Sequence, residues 1–385
     1  MTRSKNRLAV VLILALALTA ALALAAGLAG CGPSGAGTTT SSPAATETST
    51  TAGPDTSAGP TTTAAPTSSS EAATATSAPT AKLDKLTLVA PPGPMAIPLA
   101  YIAINNKLAD VADKTEVVIW ENPEQLKAYV AGSQGDFVTM PSNNSAIFYN
   151  KGLKLQLLDI SVWNITYLIA KDPIAGSFAD IKGQSLVVPF QGSVPDLMFQ
   201  YIAKAQGLDS QKDFELRYAA DPTQAAQLLL TGQAENGVIS EALATAVVLQ
   251  TATAEKPLHR ALAFDTAWAE ASGGTESPIA GTVATASVLD RPEVIAAFER
   301  EYKAAVQWML DNPEEAGKLV ETRLPQLGLK AAVMTASLKS IAWKYTTAVD
   351  ARASLEAFYQ ALSELSPEVI GGKLPDDGFY FNYTP

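Results

Sequence analysis

Short apolar segments alternate with helical segments from residue 86 onward, and this alternation limits the chain to few architectures. Residues 86–90 and 116–120 predict strands, and residues 97–108 and 124–131 predict helices. The loops between them are short and rich in proline and glycine. Alternation of this kind is typical of an α/β fold with a mainly parallel sheet.

The same alternation returns in the second half of the chain. Strands are predicted at residues 185–189, 214–218 and 237–240, with helices at residues 194–206 and 223–230 between them. We therefore expect a second α/β lobe.

From Pro292 onward the pattern is helical. Helices are predicted at residues 293–311, 313–323, 329–341 and 350–362. The sequence thus predicts a C-terminal helical segment.

Two segments match in form. One runs from Pro123 through a helix and Gly132 to a strand, and the other runs from Pro222 through a helix and Gly232 to a strand. One such unit in each lobe indicates a two-lobed clamp. The alternative is a chance likeness between two α/β units.

An export signal precedes the folded part. Three basic residues are followed by an uncharged apolar run, residues 8–26, and then by Leu28-Ala29-Gly30-Cys31. The small residues before the cysteine resemble the lipobox of bacterial lipoproteins, which implies a signal peptide of residues 1–30 and a lipid on Cys31. The alternative is an uncleaved membrane anchor, because this stretch is long enough to cross a bilayer core of about 30 Å.

A linker of Thr, Ser, Ala, Pro and Gly joins the signal to the folded part. Residues 31–81 begin with Cys31 and hold three charged side chains, Glu47, Asp55 and Glu71. Because such a composition cannot form an apolar core, we expect disorder and a spacer role.

The charge and the cysteine count exclude some functions. The chain carries a net charge of −11, and removal of the three basic residues of the signal lowers it to −14. Nucleic acid is a poor partner for so acidic a chain. Cys31 is the only cysteine, so an intrachain disulfide is impossible and the fold depends on its core.

Three motifs carry a resemblance to a known family. They are residues 180–189 (DIKGQSLVVP), residues 191–193 (QGS) before a helix ending in residues 206–208 (QGL), and residues 225–238 (AAQLLLTGQAENGV). With these motifs the chain resembles the solute-binding proteins of ABC importers. It is most similar to the branch that binds aliphatic sulfonates, taurine, nitrate and thiamine precursors.

The resemblance implies a two-lobed, type II periplasmic-binding-protein-like fold with two crossover strands, near residues 165–171 and 259–265. Lobe I would take residues 82–170 with 260–385, and lobe II residues 171–259. The ligand would lie between lobes that close by a hinge motion.

The resemblance also implies partners and a location. A permease and an ATPase on other chains would complete an importer, and no cofactor is implied. We expect a monomer held by lipid on the extracytoplasmic face of a bacterial cell membrane.

Candidate binding residues follow from strand ends, because ligands of open α/β sheets bind beyond the carboxyl ends of strands. The residues predicted at or beside such ends are Pro92, Gly93, Pro94, Met95, Trp120, Met140, Pro141, Ser142, Asn143, Trp163, Asn164, Gln191, Gly192, Ser193 and Glu241.

The composition of these loops bears on the ligand. They contain no Arg or Lys, so nitrate or a bare sulfonate is poorly supported. Their prolines, methionines and aromatic residues favour a small organic ligand that is partly apolar or aromatic. Glu241 could pair with an amine or ring nitrogen, or face water. Ser193 could cap its helix with Asp196 three residues on, for a ligand or for stability alone.

An enzyme is not indicated. The sequence has no zinc-protease, hydrolase or phosphate-loop motif, its one histidine is His259, and no metal site is predicted. Two functions stay open: solute capture for an importer, and a lipoprotein that binds a ligand or protein for sensing or envelope assembly without transport.

Overall fold

The computed structural model describes residues 81–382. Its strands are β1 (Leu86–Ala90), β2 (Thr115–Ile119), β3 (Phe137–Pro141), β4 (Leu155–Asn164), β5 (Thr166–Ala170), β6 (Ser185–Pro189), β7 (Glu215–Ala219), β8 (Asn236–Ser240), β9 (His259–Ala263), β10 (Ala280–Thr285) and β11 (Ala342–Thr347). Its α-helices are α1 (Ala96–Ile104), α2 (Pro123–Ala131), α3 (Ser142–Asn150), α4 (Val194–Ala205), α5 (Pro222–Leu230), α6 (Leu243–Thr251), α7 (Phe264–Ala271), α8 (Pro292–Asp311), α9 (Pro313–Arg323), α10 (Ala331–Leu338) and α11 (Ala348–Leu365).

The predicted signal peptide, Cys31 and the linker up to residue 80 lie outside these residues. Within residues 81–382, no helix combines the length and the apolar character needed to cross a membrane.

The first sheet has the strand order β11-β4-β10-β3-β1-β2. Strand β1 pairs in parallel with β2 and β3, whereas β10 runs antiparallel between β3 and β4, and β11 runs antiparallel to β4. Strands β1, β3 and β4 therefore point the same way, and their carboxyl ends share one edge of the sheet.

The second sheet has the order β7-β6-β8-β5-β9. Strands β6, β7 and β8 are parallel, and β5 runs antiparallel between β8 and β9. The mixed α/β architecture with two sheets and C-terminal helices confirms the predicted fold class.

The chain passes between the two sheets at Ile165. Strand β4 ends in the first sheet at Asn164, and β5 begins in the second sheet at Thr166. It returns between β9 and β10. The predicted crossovers near residues 165–171 and 259–265 thus coincide with β5 and β9, which hydrogen-bond within the second sheet.

Two strands escaped the sequence prediction. Strand β10 is rich in small residues, and β11 begins directly after the helix predicted over residues 329–341, which ends at Leu338 in the structure. Both pair with β4. Glycine at position 281 is required there, because a Cβ would lie 1.8 Å from the carbonyl oxygen of Asp159.

The two matching segments share a helix cap that strengthens their likeness. At the start of α2, the Asn122 side chain accepts a hydrogen bond from the Gln125 N–H (2.9 Å), and at the start of α5 the Asp221 side chain accepts one from the Gln224 N–H (2.8 Å). Both glutamine side chains reach back to accept from a backbone N–H just before the cap. Each pair is a variant of the capping box.

Helix α8 covers one face of the first sheet through aromatic contacts. Phe298 stacks on Phe137 of β3 with ring centroids 3.9 Å apart, and Trp308 stacks on Tyr101 of α1 at 3.9 Å. Burial of these rings contributes several kcal/mol in total by the usual area rule, about 25 cal/mol per Å².

Two carboxyl groups lie inside this apolar layer. Asp159 of β4 has 0% and Glu299 of α8 has 1% of its surface exposed. Both carboxylate oxygens of Asp159 and the Oε1 of Glu299 lack a hydrogen-bond partner of good geometry within the described part of the chain. The Tyr345 hydroxyl donates to the other oxygen of Glu299. Ionising both groups here would be costly, because neither has a cation beside it.

Their pKa values shift accordingly. Burial, and then the nearby Glu299 carboxyl, raises the pKa of Asp159 well above its ordinary value, although the hydroxyls of Thr282 and Ser161 act in the opposite direction. Burial raises the pKa of Glu299 to about 7, against the opposing hydrogen bond from Tyr345. At a pH between the ordinary and the raised pKa values, these two carboxyl groups are therefore protonated in the folded protein and ionised in the unfolded chain.

This shift predicts an unusual pH dependence of stability. The folded pKa of Glu299 is raised, so its stabilising contribution is complete below about pH 4.5 and is lost as the pH rises to about 7. In the Glu299→Gln variant the group cannot ionise, so we expect the fall in melting temperature between pH 5 and pH 8 to shrink by about 3 °C or more. Thermal melts at both pH values measure it.

The matched control is Glu301→Gln on the same helix, whose carboxylate is paired with Arg300 at 3.0 Å. It should leave the difference between pH 5 and pH 8 as in the wild type. An equal effect of both variants would contradict a specific role of the buried carboxyl.

Candidate functional site

The carboxyl edges of the two sheets adjoin each other. Asn164 ends β4 at the edge of the first sheet, and Thr166 lies opposite Ser240, the last residue of β8, at the edge of the second. One residue separates them, and the Asn164 side chain accepts a hydrogen bond from the Thr166 N–H at 3.0 Å. The predicted loops of both lobes therefore follow strands that end at these two adjoining edges.

Seven helices begin at these edges directly after a strand or its loop. They are α1, α2 and α3 at the first sheet and α4, α5, α6 and α7 at the second. A helix N-terminus presents unpaired backbone N–H groups and a partial positive charge. The cleft is thus rich in hydrogen-bond donors.

The loop after β1 supplies an apolar wall. Gly93 adopts φ +116°, a backbone conformation that favours glycine, and its carbonyl accepts from the Ala96 N–H at the start of α1. Met95 packs on a small apolar cluster that includes Ile165, the residue between the sheets. Pro92 is exposed and Pro94 is buried.

The predicted residues at the start of α3 are tied into the fold. The Ser142 hydroxyl donates to the Pro278 carbonyl (2.6 Å), and the Asn143 side-chain amide donates to the Val369 carbonyl (3.1 Å). Met140 is buried in the core and Pro141 is half-buried. The geometry gives these side chains a structural role and leaves ligand contact as a prediction.

Two tryptophans border the cleft in the first lobe. The indole N–H of Trp120 donates to the Thr139 carbonyl (3.3 Å), so the ring reaches from the end of β2 toward β3. The indole N–H of Trp163 donates to the Lys344 carbonyl (2.8 Å), and the Lys344 ammonium lies 4.1 Å from the centre of its ring.

The loop after β6 is the most open of the predicted loops. Gln191 and Gly192 are exposed, and Phe190 beside them has 51% of its surface exposed and φ +55°. The expected side-chain cap by Ser193 is not formed, since its hydroxyl donates to the Pro189 carbonyl instead (3.1 Å). Asp196 does act at this helix start, by accepting from the Gly192 N–H (2.8 Å).

Glu241 has partners within the protein. Its carboxylate accepts hydrogen bonds from Arg260 (2.8 and 2.5 Å) and from the Thr245 hydroxyl (2.6 Å). The Arg260 guanidinium also lies 5.3 Å from the ring centre of Tyr167. The expectation that Glu241 is free to pair with a ligand amine gains no support from this arrangement.

Sequence reasoning missed three residues of this group. Tyr167 of β5 donates its hydroxyl to the Ser340 carbonyl just before β11, and so joins the two lobes at the cleft. Desolvation raises the pKa of Tyr167 to about 12, which keeps the hydroxyl a donor at neutral pH. Arg260 and Lys344 lie far along the sequence from the loops they join, and no local pattern marks them.

Within residues 81–382, no cluster of three or more His, Cys, Asp or Glu side chains could hold a metal ion.

Comparison with solved structures identifies proteins with a similar fold. No family model and no curated protein matches the chain. Among solved structures, one described as an ABC transporter from Parabacteroides distasonis has a TM-score of 0.67 at 23% identity, and the alignment covers 78% of this chain and 100% of that one.

Two further structures have named ligands. The periplasmic aliphatic sulphonate binding protein SsuA from Escherichia coli has a TM-score of 0.59 at 15% identity, with 78% of this chain and 93% of that chain covered. The periplasmic nitrate-binding protein NrtA from Synechocystis has a TM-score of 0.56 at 16% identity, with 74% and 82% covered.

These likenesses confirm the predicted resemblance at the level of the fold. The described part of the chain has the fold of the periplasmic solute-binding proteins of ABC transporters. SsuA and NrtA are named as binding proteins rather than as enzymes. At these identities they leave the ligand open.

The contact between Tyr167 and Ser340 yields a prediction. In Tyr167→Phe the ring stays and the hydroxyl is lost, so the half-buried Ser340 carbonyl loses its donor. We expect the free energy of unfolding to fall by about 1 kcal/mol, measured by chemical denaturation. Tyr101→Phe is the control, because the Tyr101 ring stacks on Trp308 within the first lobe. Equal losses in both variants would show that the contact between the lobes adds nothing.

Proposed function

We propose that the protein is the solute-binding component of an ABC importer and captures a small organic ligand between its two lobes. One observation carries the proposal: the carboxyl edges of two α/β sheets meet across Ile165, and seven helices begin along those edges. A cleft of this kind lies where ligands of open α/β sheets bind. The likeness to transporter binding proteins supports the same function.

The residues at the cleft favour a ligand with an apolar part. Met95, the exposed Phe190 and the half-buried Trp120 offer sulfur and aromatic surface, and backbone N–H groups of the helix starts offer donors. A ligand pocket generally combines such apolar walls with a few polar groups that orient the ligand. The predicted binding residues remain proposals.

In this proposal the protein binds the ligand and catalyses no reaction. A permease and an ATPase on other chains would move the ligand across the membrane. The lipid on Cys31 would hold the binding protein beside them, and the linker of residues 31–81 would let it reach the permease.

Ligand capture can be tested on the purified full chain. A compound at about 100 times its dissociation constant should raise the stability by roughly 2.7 kcal/mol, seen as a higher melting temperature. In the Phe190→Ala variant the affinity for that compound should fall by about tenfold, because an exposed aromatic wall is removed. Titration calorimetry measures the change.

The control for this test is Leu249→Ala, which removes a side chain of similar exposure, 49%, on α6. It should bind the compound as the wild type does. If Phe190→Ala also binds unchanged, the loop after β6 is not part of the site.

Lipidation of Cys31 can be tested separately. When the full chain is produced in bacteria with labelled fatty acid, the wild type should carry the label and sediment with membranes. Cys31→Ser should lose the label, because no other cysteine is present to accept it. Label on the Cys31→Ser chain would contradict lipidation at this residue.

A further inference from the structure

The charges around the cleft are already balanced within the protein. The loops at the two sheet edges, residues 91–95, 141–143, 190–193 and 240–241, contain no Arg or Lys. Two cations, Arg260 and Lys344, reach these edges from elsewhere in the chain. Each has a carboxylate partner.

The first pair is Arg260 with Glu241, at the edge of the second sheet. The side chain of Glu241 is 0% exposed and that of Arg260 is 24% exposed. Two guanidinium nitrogens contact the same carboxylate oxygen, and Thr245 donates to the other. A guanidinium held in this way has its charge compensated before any ligand arrives.

The second pair is Lys344 with Glu276, at the edge of the first sheet. Their charged atoms are 2.5 Å apart, beside the Trp163 ring. Lys339 is the cation nearest to Lys344 along the chain, but it lines a separate groove between α9 and α10.

Two helix N-termini of the second lobe hold carboxylates of the protein itself. At α4, the buried Asp196 accepts from the Gly192 N–H and from the Tyr218 hydroxyl (3.2 Å). At α6, Glu241 accepts from the Thr245 N–H (3.2 Å). At these two helix starts, the place where a helix dipole would favour a bound anion is thus filled.

These arrangements act against a charged ligand of either sign. An anion would meet Asp196 and Glu241 at two helix starts of the second lobe, and the four loops at the sheet edges offer it no Arg or Lys. A cation would meet carboxylates that already have partners, at the edge where helix N-termini are positive. Burial of an uncompensated charge in a closed cleft is strongly unfavourable.

We propose that the ligand is uncharged, with an apolar body and hydrogen-bond acceptors that meet backbone N–H groups of the cleft. This inference rests on the proposed function, and it separates the protein from the sulfonate and nitrate binders whose fold it shares.

The test uses sets of compounds that share an apolar group and differ in their polar group, which is neutral, negative or positive. Propionamide, propanesulfonate and propylamine form one set, and benzamide, benzenesulfonate and benzylamine form another. The full chain is titrated with each by calorimetry and thermal shift. We expect the carboxamide of at least one set to bind at least about tenfold more tightly than its charged counterparts.

The Glu241→Gln variant sharpens the test, because it leaves Arg260 without its carboxylate. We expect the affinity for the sulfonate of the set that binds to rise by about tenfold relative to the affinity for the carboxamide. Arg260→Gln/Glu241→Gln, which removes both charges, should restore the preference for the carboxamide and guards against a folding defect in the single variant. Glu356→Gln, which breaks the pair between Arg352 and Glu356 on α11, is the remote control and should leave both affinities unchanged.

The outcomes separate the two proposals. Tighter binding of a sulfonate or an amine by the wild type would overturn the uncharged ligand and leave solute capture standing. No binding by any of the six compounds, with the protein folded, would count against solute capture itself. No gain of sulfonate affinity in Glu241→Gln would show that the Arg260 charge does not act on the site, and would overturn the electrostatic argument.

Discussion

The junction at Ile165 determines how the rest of the structure can work. Asn164 and Thr166 belong to different sheets, and the hydrogen bond from the Thr166 N–H to the Asn164 side chain fixes the turn between them. Because only one residue separates the sheets, their carboxyl edges must adjoin. Every loop that follows a strand at those edges then borders the same cleft, whatever its sequence.

The sequence predicted the parts of the fold that depend on local pattern. Continuous apolar runs such as Leu86–Ala90 and Ser185–Pro189 identify central parallel strands, which are buried on both faces. Strands β10 and β11 lack that signal. Gly281 in β10 and Lys344 in β11 are poor strand formers, and both strands exist because β4 offers each a partner.

The candidate site likewise has one part that the sequence predicts and one part that it does not. Its loops could be located from strand ends alone, since that rule needs only the order of elements. The ion pairs of its charged side chains could not be predicted from the sequence. Arg260 lies 19 residues from Glu241, and Lys344 lies 68 residues from Glu276. Only the folded chain brings these groups together, so Glu241 looked free in the sequence and is paired in the structure.

Carboxylates are treated in opposite ways in the two lobes, and the difference has a physical cause. In the second lobe, Asp196 and Glu241 lie at helix starts, where both accept hydrogen bonds from backbone N–H groups and Glu241 also pairs with Arg260. In the first lobe, Asp159 of β4 and Glu299 of α8 are buried in an apolar layer, and burial favours the protonated form. The net charge of the chain therefore says little about the charge that a ligand meets, because these carboxyl groups either have partners within the fold or favour the protonated form.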